Sequence, residues 1–296
     1  MNHTTLLQAL AQQPHTIQQL TTRLGVSTSA VTTALDTLQA EGVELAHSPQ
    51  GHRLLAASNA FGAATLQWRC ERRVHYFESC DSTNHHARQC VHAGERHALV
   101  VANHQRAGRG RRGREWDSPA GKNLLFSLVL HPPVLPEQAP RCVLLWAAAM
   151  ANVLGVSLKW PNDLVCADGQ KVGGILAELE LVGSRVEAVI LGVGINVNQE
   201  TFPPALSHAT SLRNLRGAPQ DRAALLAELV SAIEQVDVTA DLSAWRRHAR
   251  TLGQRVRVGD VEGVATDIRE DGALMVGDVA VLTGDVSFVS TNNGGE

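Results

Sequence analysis

Residues 108–116, which read G-R-G-R-R-G-R-E-W, combine residue types suited to holding an anion. Four arginines and three glycines occupy seven of these nine positions. A guanidinium offers a planar fork of donors that matches phosphate or carboxylate oxygens, and glycine lets the backbone approach a ligand closely. Because like charges repel one another, we expect a small anionic ligand to organise this loop.

Neither common nucleotide-binding motif accounts for the loop. G-R-G-R-R-G matches the dinucleotide fingerprint in letters, but that fingerprint needs a helix starting on its glycines, and Pro119 and Gly121 oppose one. The phosphate loop G-x-x-x-x-G-K-[ST] is absent from the sequence. A solvated surface turn is the plainer alternative, and the apolar strands predicted on both sides make it less favoured.

Two further motifs carry the chain's scarce lysines, of which there are three against 23 arginines. Lys159 opens K-W-P-N-D, where its ammonium would face a phosphate or a developing carbonyl charge, or else pair with Asp163 at the surface. Asn162 and Asp163 would help hold a hydrated Mg²⁺ or a ribose, or else form a turn. Lys171 opens K-V-G-G, which otherwise reads as a tight turn into a strand.

The stretch G-V-G-I-N at 192–196 predicts a β-strand with a bare face. Its small residues would let a flat ligand lie on the sheet. Close packing of a helix on the sheet is the alternative that glycine serves equally well.

The N-terminal region predicts a helix at 5–12 and then a helix-turn-helix. Gly25 supplies the turn and Ser27 the N-cap of the second helix, and residues 43–55 resemble a small hairpin or wing. The apolar residues recur at helical spacing on two segments: Ile17, Leu20 and Leu24, then Val31, Leu35 and Leu38.

Binding in a DNA major groove is the functional interpretation of this pattern. The candidate contacts on the second helix are hydroxyl side chains: Ser27, Thr28, Ser29, Thr32 and Thr33. A protein-interaction or regulatory module is a serious rival, because this helix has no Lys or Arg and carries Asp36. Since phosphate contacts dominate DNA affinity, we expect weak binding per subunit.

The remaining chain predicts a linker at 57–66, alternating strands and helices to about 249, and an all-β unit from Gly253 onward. The strands are expected at 74–77, 98–103, 123–130 and 188–193, and the helices at 81–91, 141–154, 222–235 and 242–249. The fold class is therefore α+β in three domains.

Composition limits the class of protein. The 296 residues carry a net charge of −3, with 44% hydrophobic and 19% charged residues, which is typical of a globular protein and gives no global reason for nucleic-acid binding. The five cysteines are widely spaced, which favours reduced thiols. With neither a signal peptide nor a membrane span in the sequence, we expect a cytoplasmic location.

Taken in order, the motifs resemble those of biotin–protein ligases. They are D-S-T-N at 81–84, Q-R-A-G-R-G-R-R-G-R-E-W at 105–116, K-W-P-N-D-L at 159–164, K-V-G-G-I-L-A-E at 171–178 and G-V-G-I-N-V-N at 192–198. With the helix-turn-helix, the chain looks like the bifunctional bacterial form that is also the biotin operon repressor. The resemblance implies a winged helix-turn-helix at 1–60, a mixed-sheet α/β catalytic domain at 61–250 and an SH3-like β barrel at 251–296.

The resemblance also implies an activity. Such ligases use ATP and Mg²⁺ to adenylate biotin, and then transfer biotin to a lysine of the biotin carboxyl carrier protein of acetyl-CoA carboxylase. Operator DNA and a homodimer of the adenylate-bound chain are the further expected partners, with no membrane. The arginine loop would close over the ligand, so residues 109–115 should be mobile without biotin.

Site residues are carried over from the family by motif. The resemblance implies catalytic roles for Arg109, Arg111 and Lys159. It implies biotin binding by Ser82, Thr83, Asn84, Gln105, Gly108, Arg109, Gly110, Arg111, Lys159, Leu164, Gly192 and Gly194. It implies ATP or adenylate binding by Trp116, Asn162, Asp163, Lys171 and Asn196.

Two alternatives remain open at this point. One is a ligase whose N-terminal domain does not bind DNA, and the other is a ligand-responsive transcription factor without catalysis. Lipoate–protein ligase activity is disfavoured, because the arginine loop and K-W-P-N-D follow the biotin pattern.

Overall fold

The computed structural model describes residues 3–55 and 60–289. Its contacts divide the chain into two compact units. The first comprises Met1–Tyr76 with Asp221–Glu228, and the second Phe77–Gln220 with Leu229–Glu296.

The first unit contains the predicted helix-turn-helix and wing. Gly25 ends the second helix with a left-handed φ of 65°, and the Ser27 side chain caps the third helix by accepting from the backbone N–H of Ala30. The elements are α1 (His3–Gln12), α2 (Ile17–Leu24), α3 (Thr28–Ala40), β1 (Leu45–Ser48), β2 (Gly51–Leu54), α4 (Ala63–Arg69) and β3 (Arg73–Phe77), which ends at the junction with the second unit.

A single apolar cluster holds these helices together. Leu6, Leu10, Leu20, Val31 and Leu38 are all fully buried in it. The helical periodicity of the sequence therefore identified the core face of each helix correctly.

The linker predicted at 57–66 is wrong at its C-terminal end. Residues 63–66 form the first turn of α4, where Ala64 and Leu66 are buried. Small residues that resembled a flexible linker in composition instead pack closely in the core. Residues 57–59 of the predicted linker lie outside the described residues.

The second unit is built on a sheet in which β4, β5, β9, β8, β7 and β6 lie side by side in that order. Each of these neighbouring pairs is antiparallel. Isolated parallel bridges join Leu158 of β6 to Ala249, Lys171 of β8 to Ala209, and Cys80 to Gln105. The strands are β4 (Ala98–Ala102), β5 (Leu124–Leu130), β6 (Ser157–Lys159), β7 (Asp163–Val165), β8 (Lys171–Val182) and β9 (Arg185–Ile195).

Helices cover this sheet, and the two longest strands cross its centre. The helix α5 packs on β4, β5 and β9, and α6 packs on β6 and β8. The helices are α5 (Thr83–His92), α6 (Ala139–Leu154), α7 (Leu212–Arg216), α8 (Arg222–Glu234), whose first residues belong to the first unit, and α9 (Ser243–His248). K-V-G-G, for which a tight turn was one interpretation, begins the twelve-residue strand β8.

The C-terminal region forms a five-stranded antiparallel sheet in the order β13-β12-β11-β10-β14. Because β13 and β14 are its edges, this order is open, whereas the resemblance implied a closed SH3-like barrel. The strands are β10 (Arg255–Val258), β11 (Val261–Ile268), β12 (Leu274–Val276), β13 (Val279–Val281) and β14 (Ser287–Phe288). Residues 290–296 of the predicted domain lie outside the described residues.

Within residues 3–55 and 60–289, no helix is long and apolar enough to cross a membrane. The thiols of all five cysteines are buried.

Candidate functional site

A cavity of about 620 Å³ opens in the second unit, between the arginine loop, the glycine-bearing strands β8 and β9, and the segment before β14. It brings together most residues that the sequence nominated. Those lining it are Ser82, Thr83, Asn84, Gln105, Arg109, Gly110, Arg111, Trp116, Lys159, Asn162, Asp163, Lys171, Gly192, Gly194 and Asn196.

Two nominated residues, Gly108 and Leu164, do not line the cavity. Gly108 is buried at the base of the arginine loop, where a Cβ would lie 2.6 Å from the Trp116 carbonyl oxygen. Leu164 is fully buried in β7 and contacts Gly173 from below the cavity floor. Each of the two residues belongs to a motif that lines the cavity, but is itself buried in the protein interior behind the cavity lining.

Glycines leave room on the floor for side chains from other elements. A Cβ at Gly194 would lie 2.6 Å from the Trp116 ring, and one at Gly192 would overlap the amide oxygen of Asn84. Both glycines are extended, so close approach rather than backbone conformation requires them. The flat floor and close packing, which were alternatives in the sequence, therefore occur together.

Trp116 lies across this floor with an unsatisfied donor. Its indole Nε1 is buried and finds no hydrogen-bond partner among the described residues. The Lys171 ammonium lies 5.6 Å from the ring centroid, which is within cation–π range. Because Nε1 lies 2.8 Å from the position that a Cβ on Gly194 would take, the indole N–H faces the sheet.

The arginine loop folds into a tight hairpin at the cavity mouth. Gly110 N donates to Arg114 O at 2.7 Å, and Trp116 N donates to Gly108 O at 2.9 Å. At the tip Arg112 has a φ of 57°, a left-handed conformation that non-glycine residues rarely adopt. Such local strain is concentrated at functional segments of proteins.

Three of the loop arginines converge on one carboxylate, that of Asp285. Arg111 Nη1 lies 3.5 Å from Oδ1, Arg112 Nη1 lies 3.6 Å from Oδ2, and Arg114 also pairs with Oδ2. Asp285 comes from the C-terminal β unit and lines the cavity. Asp285 is thus an anion within the protein of the kind that the loop was expected to bind. Its single negative charge balances only one of the three arginine charges.

Asp285 is held by the packing of its neighbours. Val286 is buried, and Gly284 has a φ of 153°, with a Cβ position that would overlap the side chain of Val258. Arg111 Nη1 also donates to the Gly284 carbonyl at 3.1 Å and to Asn162 Oδ1 at 3.2 Å. Arg111 therefore links the loop, K-W-P-N-D and the C-terminal unit.

Lys159 and Lys171 add two further positive charges to the cavity lining. Lys171 Nζ pairs with Asp163 Oδ1 at 2.6 Å, whereas Lys159 Nζ lies 5.3 Å from the Phe288 ring. Burial lowers the pKa of the Lys159 ammonium, and Lys171 and Arg114 lower it further against the attraction of Asp163. An anionic ligand would relieve this cost, since it stabilises the charged form.

The far end of the cavity is polar and neutral. Gln105 Oε1 accepts from the Thr83 backbone N–H at 2.7 Å, and the amide of Asn84 is held between Ser127 and Glu178. Such an end suits a small polar group rather than an ion. The cavity therefore has one hydrogen-bonding end. Elsewhere its lining gathers five cations, Arg109, Arg111, Arg114, Lys159 and Lys171, beside the carboxylates of Glu115, Asp117, Asp163 and Asp285.

In the first unit, all five hydroxyl residues nominated for DNA contact are exposed. Thr28 and Thr32, like Ser29 and Thr33, are four residues apart and therefore share one face of α3. Arg23 of α2 donates to Gln12 Oε1 at 3.0 Å. The exposed face of α3 is polar without being basic, as the sequence indicated.

Several cavity residues escaped the sequence interpretation, because they are far along the chain from the recognised motifs. They are Phe202, Leu206, His208, Asp285, Val286 and Ser287. T-G-D at 283–285 resembled only a turn between strands, so composition carried no signal for Asp285.

A protein that binds a small ligand with a neutral polar end and an anionic end is the class that this fold and cavity define. A family model described as "Biotin/lipoate A/B protein ligase family" matches residues 76–196, and one described as "HTH domain" matches residues 2–53. The chain is 31% identical over 288 residues to the bifunctional ligase/repressor BirA of Bacillus spizizenii, with 88% of each protein covered. The chain belongs to the biotin/lipoate A/B protein ligase family.

Two further relatives match the second unit most directly. The biotin–[acetyl-CoA-carboxylase] ligase of Mycobacterium tuberculosis is 38% identical over 215 residues, covering 64% of this chain and 77% of that protein. The biotin protein ligase from Aquifex aeolicus, solved in complex with biotin and ATP, superposes with a TM-score of 0.60 at 26% identity. It covers 73% of this chain and 98% of its own.

Replacing Asp285 by Asn tests whether its carboxylate holds the arginine loop closed. Without that charge the three guanidiniums repel one another, so we expect trypsin to cleave the loop about fivefold faster, as ~1 kcal/mol of easier opening implies. Cleavage of the ligand-free protein is followed by mass spectrometry.

Glu262→Gln is the matched control, because Glu262 pairs with Arg255 and Arg257 in the same β unit but does not line the cavity. Equal cleavage of Asp285→Asn, Glu262→Gln and the unmodified protein would contradict this role of Asp285.

Proposed function

We propose that the chain is an ATP-dependent biotin–protein ligase that also represses transcription of a biotin operon. The observation that carries the enzymatic part is a single cavity with a neutral hydrogen-bonding end and a cationic end. Biotin has a neutral cyclic urea at one end and a carboxylate at the other. Its carboxylate would meet the ATP phosphates where the arginine loop, Lys159 and Lys171 concentrate positive charge.

In the first reaction, an oxygen of the biotin carboxylate attacks the α-phosphorus of ATP. The new bond joins that oxygen to phosphorus, the bond to the β-phosphate bridging oxygen breaks, and pyrophosphate leaves. Negative charge develops on oxygens that Arg109, Arg111 and Lys159 are proposed to contact. The substrate itself is the nucleophile, so catalysis consists of positioning and charge stabilisation.

In the second reaction, the ε-amine of a carrier-protein lysine attacks the acyl carbon of biotinyl-5′-AMP. AMP leaves, and the attacking amine loses a proton. Asp163 is a carboxylate in this cavity, but it pairs with Lys171 at 2.6 Å. This pairing makes Asp163 a poor acceptor for that proton, so we assign it no such role.

The proposed ligand contacts follow the two ends of the cavity. Ser82, Thr83, Asn84 and Gln105 would bind the urea end, Gly192 and Gly194 would lie under the ring, and Gly110, Arg109 and Arg111 would cover it. Trp116, Asn162, Lys171 and Asn196 would surround the nucleotide, with Asp163 anchoring Lys171. Gly108 and Leu164 are proposed to act only through packing, since neither lines the cavity.

Mg²⁺ is proposed to enter with ATP as part of the substrate. Asn162 and Asp163, the side chains that the sequence suggested for holding Mg²⁺, already have partners in the protein. Asp163 Oδ1 pairs with Lys171, and Asn162 Oδ1 accepts from Arg111. Lys171 and Arg111 thus compete with a metal ion for Asp163 Oδ1 and Asn162 Oδ1. Magnesium bound chiefly by substrate phosphates is compatible with this arrangement.

We also propose the division of labour implied by the resemblance. Residues 1–60 would bind operator DNA as a winged helix-turn-helix, residues 61–250 would carry out catalysis, and residues 251–296 would form an SH3-like domain. The biotin carboxyl carrier protein of acetyl-CoA carboxylase is the proposed acceptor, and the adenylate-bound chain is proposed to form a homodimer. Asp285 supports participation of the C-terminal domain in catalysis.

Lys159→Ala tests the enzymatic proposal. We expect incorporation of labelled biotin into a biotin carboxyl carrier domain to fall by about 10²–10³-fold, the usual effect of removing one group that stabilises a developing oxyanion. The measurement is ATP-dependent labelling of the acceptor.

Lys122→Ala is the control, because this third lysine does not line the cavity. Full activity of Lys159→Ala would remove Lys159 from the mechanism. Incorporation of lipoate at a rate comparable to that of biotin would contradict the substrate assignment.

Operator binding is proposed to depend on the exposed hydroxyl face of α3. Thr and Ser side chains contact base edges and phosphates, and the thymine methyl group packs on Thr methyl groups. Without basic residues on this face, affinity per subunit should be low. Two subunits joined as a dimer would compensate by binding two half-sites.

A mobility-shift titration of the biotin-operon region, with and without biotin plus ATP, tests this proposal. We expect a shift at low salt that requires both ligands and that Thr33→Asp abolishes by placing a negative charge against DNA. Thr5→Asp, the same change at an exposed threonine of α1, should leave the shift intact.

Absence of any ligand-dependent shift, with biotinylation intact, would favour the ligase whose N-terminal domain does not bind DNA. A shift without biotinylation would favour the non-catalytic transcription factor.

A further inference from the structure

Ser127 lies beneath the polar end of the cavity and contacts two residues that line it. It is fully buried in the middle of β5, opposite Gly192 of β9. Its Oγ lies 2.6 Å from Asn84 Oδ1 and 2.7 Å from Thr83 Oγ1. Ser127 does not itself line the cavity, and no motif in the sequence pointed to it.

The orientation of the Asn84 amide is fixed from the opposite side. Asn84 Nδ2 donates to Glu178 Oε2 at 2.7 Å and to the Leu176 carbonyl at 3.3 Å. Arg88 holds the Glu178 carboxylate in place through an ion pair at 3.3 Å. A carboxylate and a carbonyl accept but cannot donate, so the NH₂ group of Asn84 faces them and its oxygen faces Ser127.

Counting protons then gives the direction of every bond in this chain of contacts. Asn84 Oδ1 has no proton, so the 2.6 Å contact must use the single hydroxyl proton of Ser127. The 2.7 Å contact between the two hydroxyls must therefore use the proton of Thr83. The chain runs from Thr83 to Ser127 to Asn84, and it ends at Glu178.

Thr83 consequently has only lone pairs to offer a ligand. The two hydroxyl protons serve the two shorter contacts, at 2.6 Å and 2.7 Å, so the 3.1 Å contact between Thr83 Oγ1 and Gln105 Oε1 carries no proton while Ser127 is present. Gln105 Oε1 accepts from the Thr83 backbone N–H at 2.7 Å. The Gln105 oxygen is therefore occupied, and its NH₂ group is the part left to donate. The cavity end pairs one acceptor, Thr83 Oγ1, with one donor, Gln105 Nε2.

An acceptor beside a donor complements an N–H beside a carbonyl, which is the pattern of a cyclic urea. We propose that Ser127 is a positioning residue that fixes the Thr83 hydroxyl as an acceptor and thereby selects ligands with a ring N–H at that position. The inference rests on the proposed function in so far as the ligand is biotin. Without Ser127, the Thr83 hydroxyl is free to rotate and donate.

A cyclic carbamate analogue of biotin, in which an oxygen replaces one ring N–H, separates this role from simple structural support. In the unmodified protein, the ring oxygen of the matching carbamate isomer would face the lone pairs of Thr83, so biotin should bind more tightly. In Ser127→Ala, Thr83 can donate to that oxygen. A merely structural role would weaken the binding of both ligands alike.

The experiment compares dissociation constants of biotin and of the two carbamate isomers, measured by calorimetry on the full chain. We expect Ser127→Ala to reduce the preference for biotin over one isomer about five- to tenfold, the usual effect of one hydrogen bond. Ser118→Ala is the matched control. Ser118 is also a buried serine, its hydroxyl has no partner among the described residues, and it does not line the cavity.

An unchanged preference in Ser127→Ala, or equal weakening of all three ligands, would overturn the inference. If the alanine variant does not fold, Ser127→Cys replaces it, because a thiol is a weak donor of similar size, and the same loss of preference is expected. A shifted preference in a protein that binds biotin but does not biotinylate the carrier would overturn only the proposed function. Absence of biotin binding by the unmodified protein would overturn both.

Discussion

Mutual repulsion of the loop arginines is the constraint on which the architecture of this site depends. Three guanidiniums at positions 111, 112 and 114 lie close enough to share the carboxylate of Asp285. One negative charge lets the hairpin close but leaves the cavity mouth cationic. The loop thus keeps positive charge with which to attract the carboxylate and phosphates that the proposed reaction brings together, and mobility of residues 109–115 without biotin stays a prediction.

Other features of the second unit follow from the need to place a ligand under that loop. Glycines at 192 and 194 let Asn84 and Trp116 approach β9, and the open side of the cavity is completed by the segment before β14. The C-terminal β unit is thus part of the site. The arginine loop and this unit are joined through a charge pair, which salt should weaken because Asp285 is partly exposed.

Much of this arrangement could be predicted from the sequence, because the information was local. Helical periodicity identified core residues of α2 and α3, the glycines and arginines identified the loop, and the resemblance to a known family supplied most of the cavity residues. Asp285 and Ser127 could not be found in this way. Asp285 acquires its role only when a distant β unit folds beside the loop, and Ser127 looks like any small residue in a strand until Asn84 packs over Gly192.

Errors in the sequence interpretation have the same physical origin. Residues 63–66 have the small side chains of a linker, yet tertiary packing makes them helical, and K-V-G-G begins a long strand because β9 lies beside it. Leu164 and Gly108 belong to motifs that line the cavity, but a motif passing through the core also contains residues that only support it.

Biotin-dependent exchange of labelled pyrophosphate into ATP, measured without any carrier protein, tests the central claim most directly. Label enters ATP when biotinyl-5′-AMP forms and then reacts back with labelled pyrophosphate. The exchange therefore needs only this cavity with biotin and ATP. The account predicts exchange that requires biotin and magnesium and that Lys159→Ala greatly reduces. No exchange in the presence of biotin, or exchange that does not depend on biotin, would contradict it.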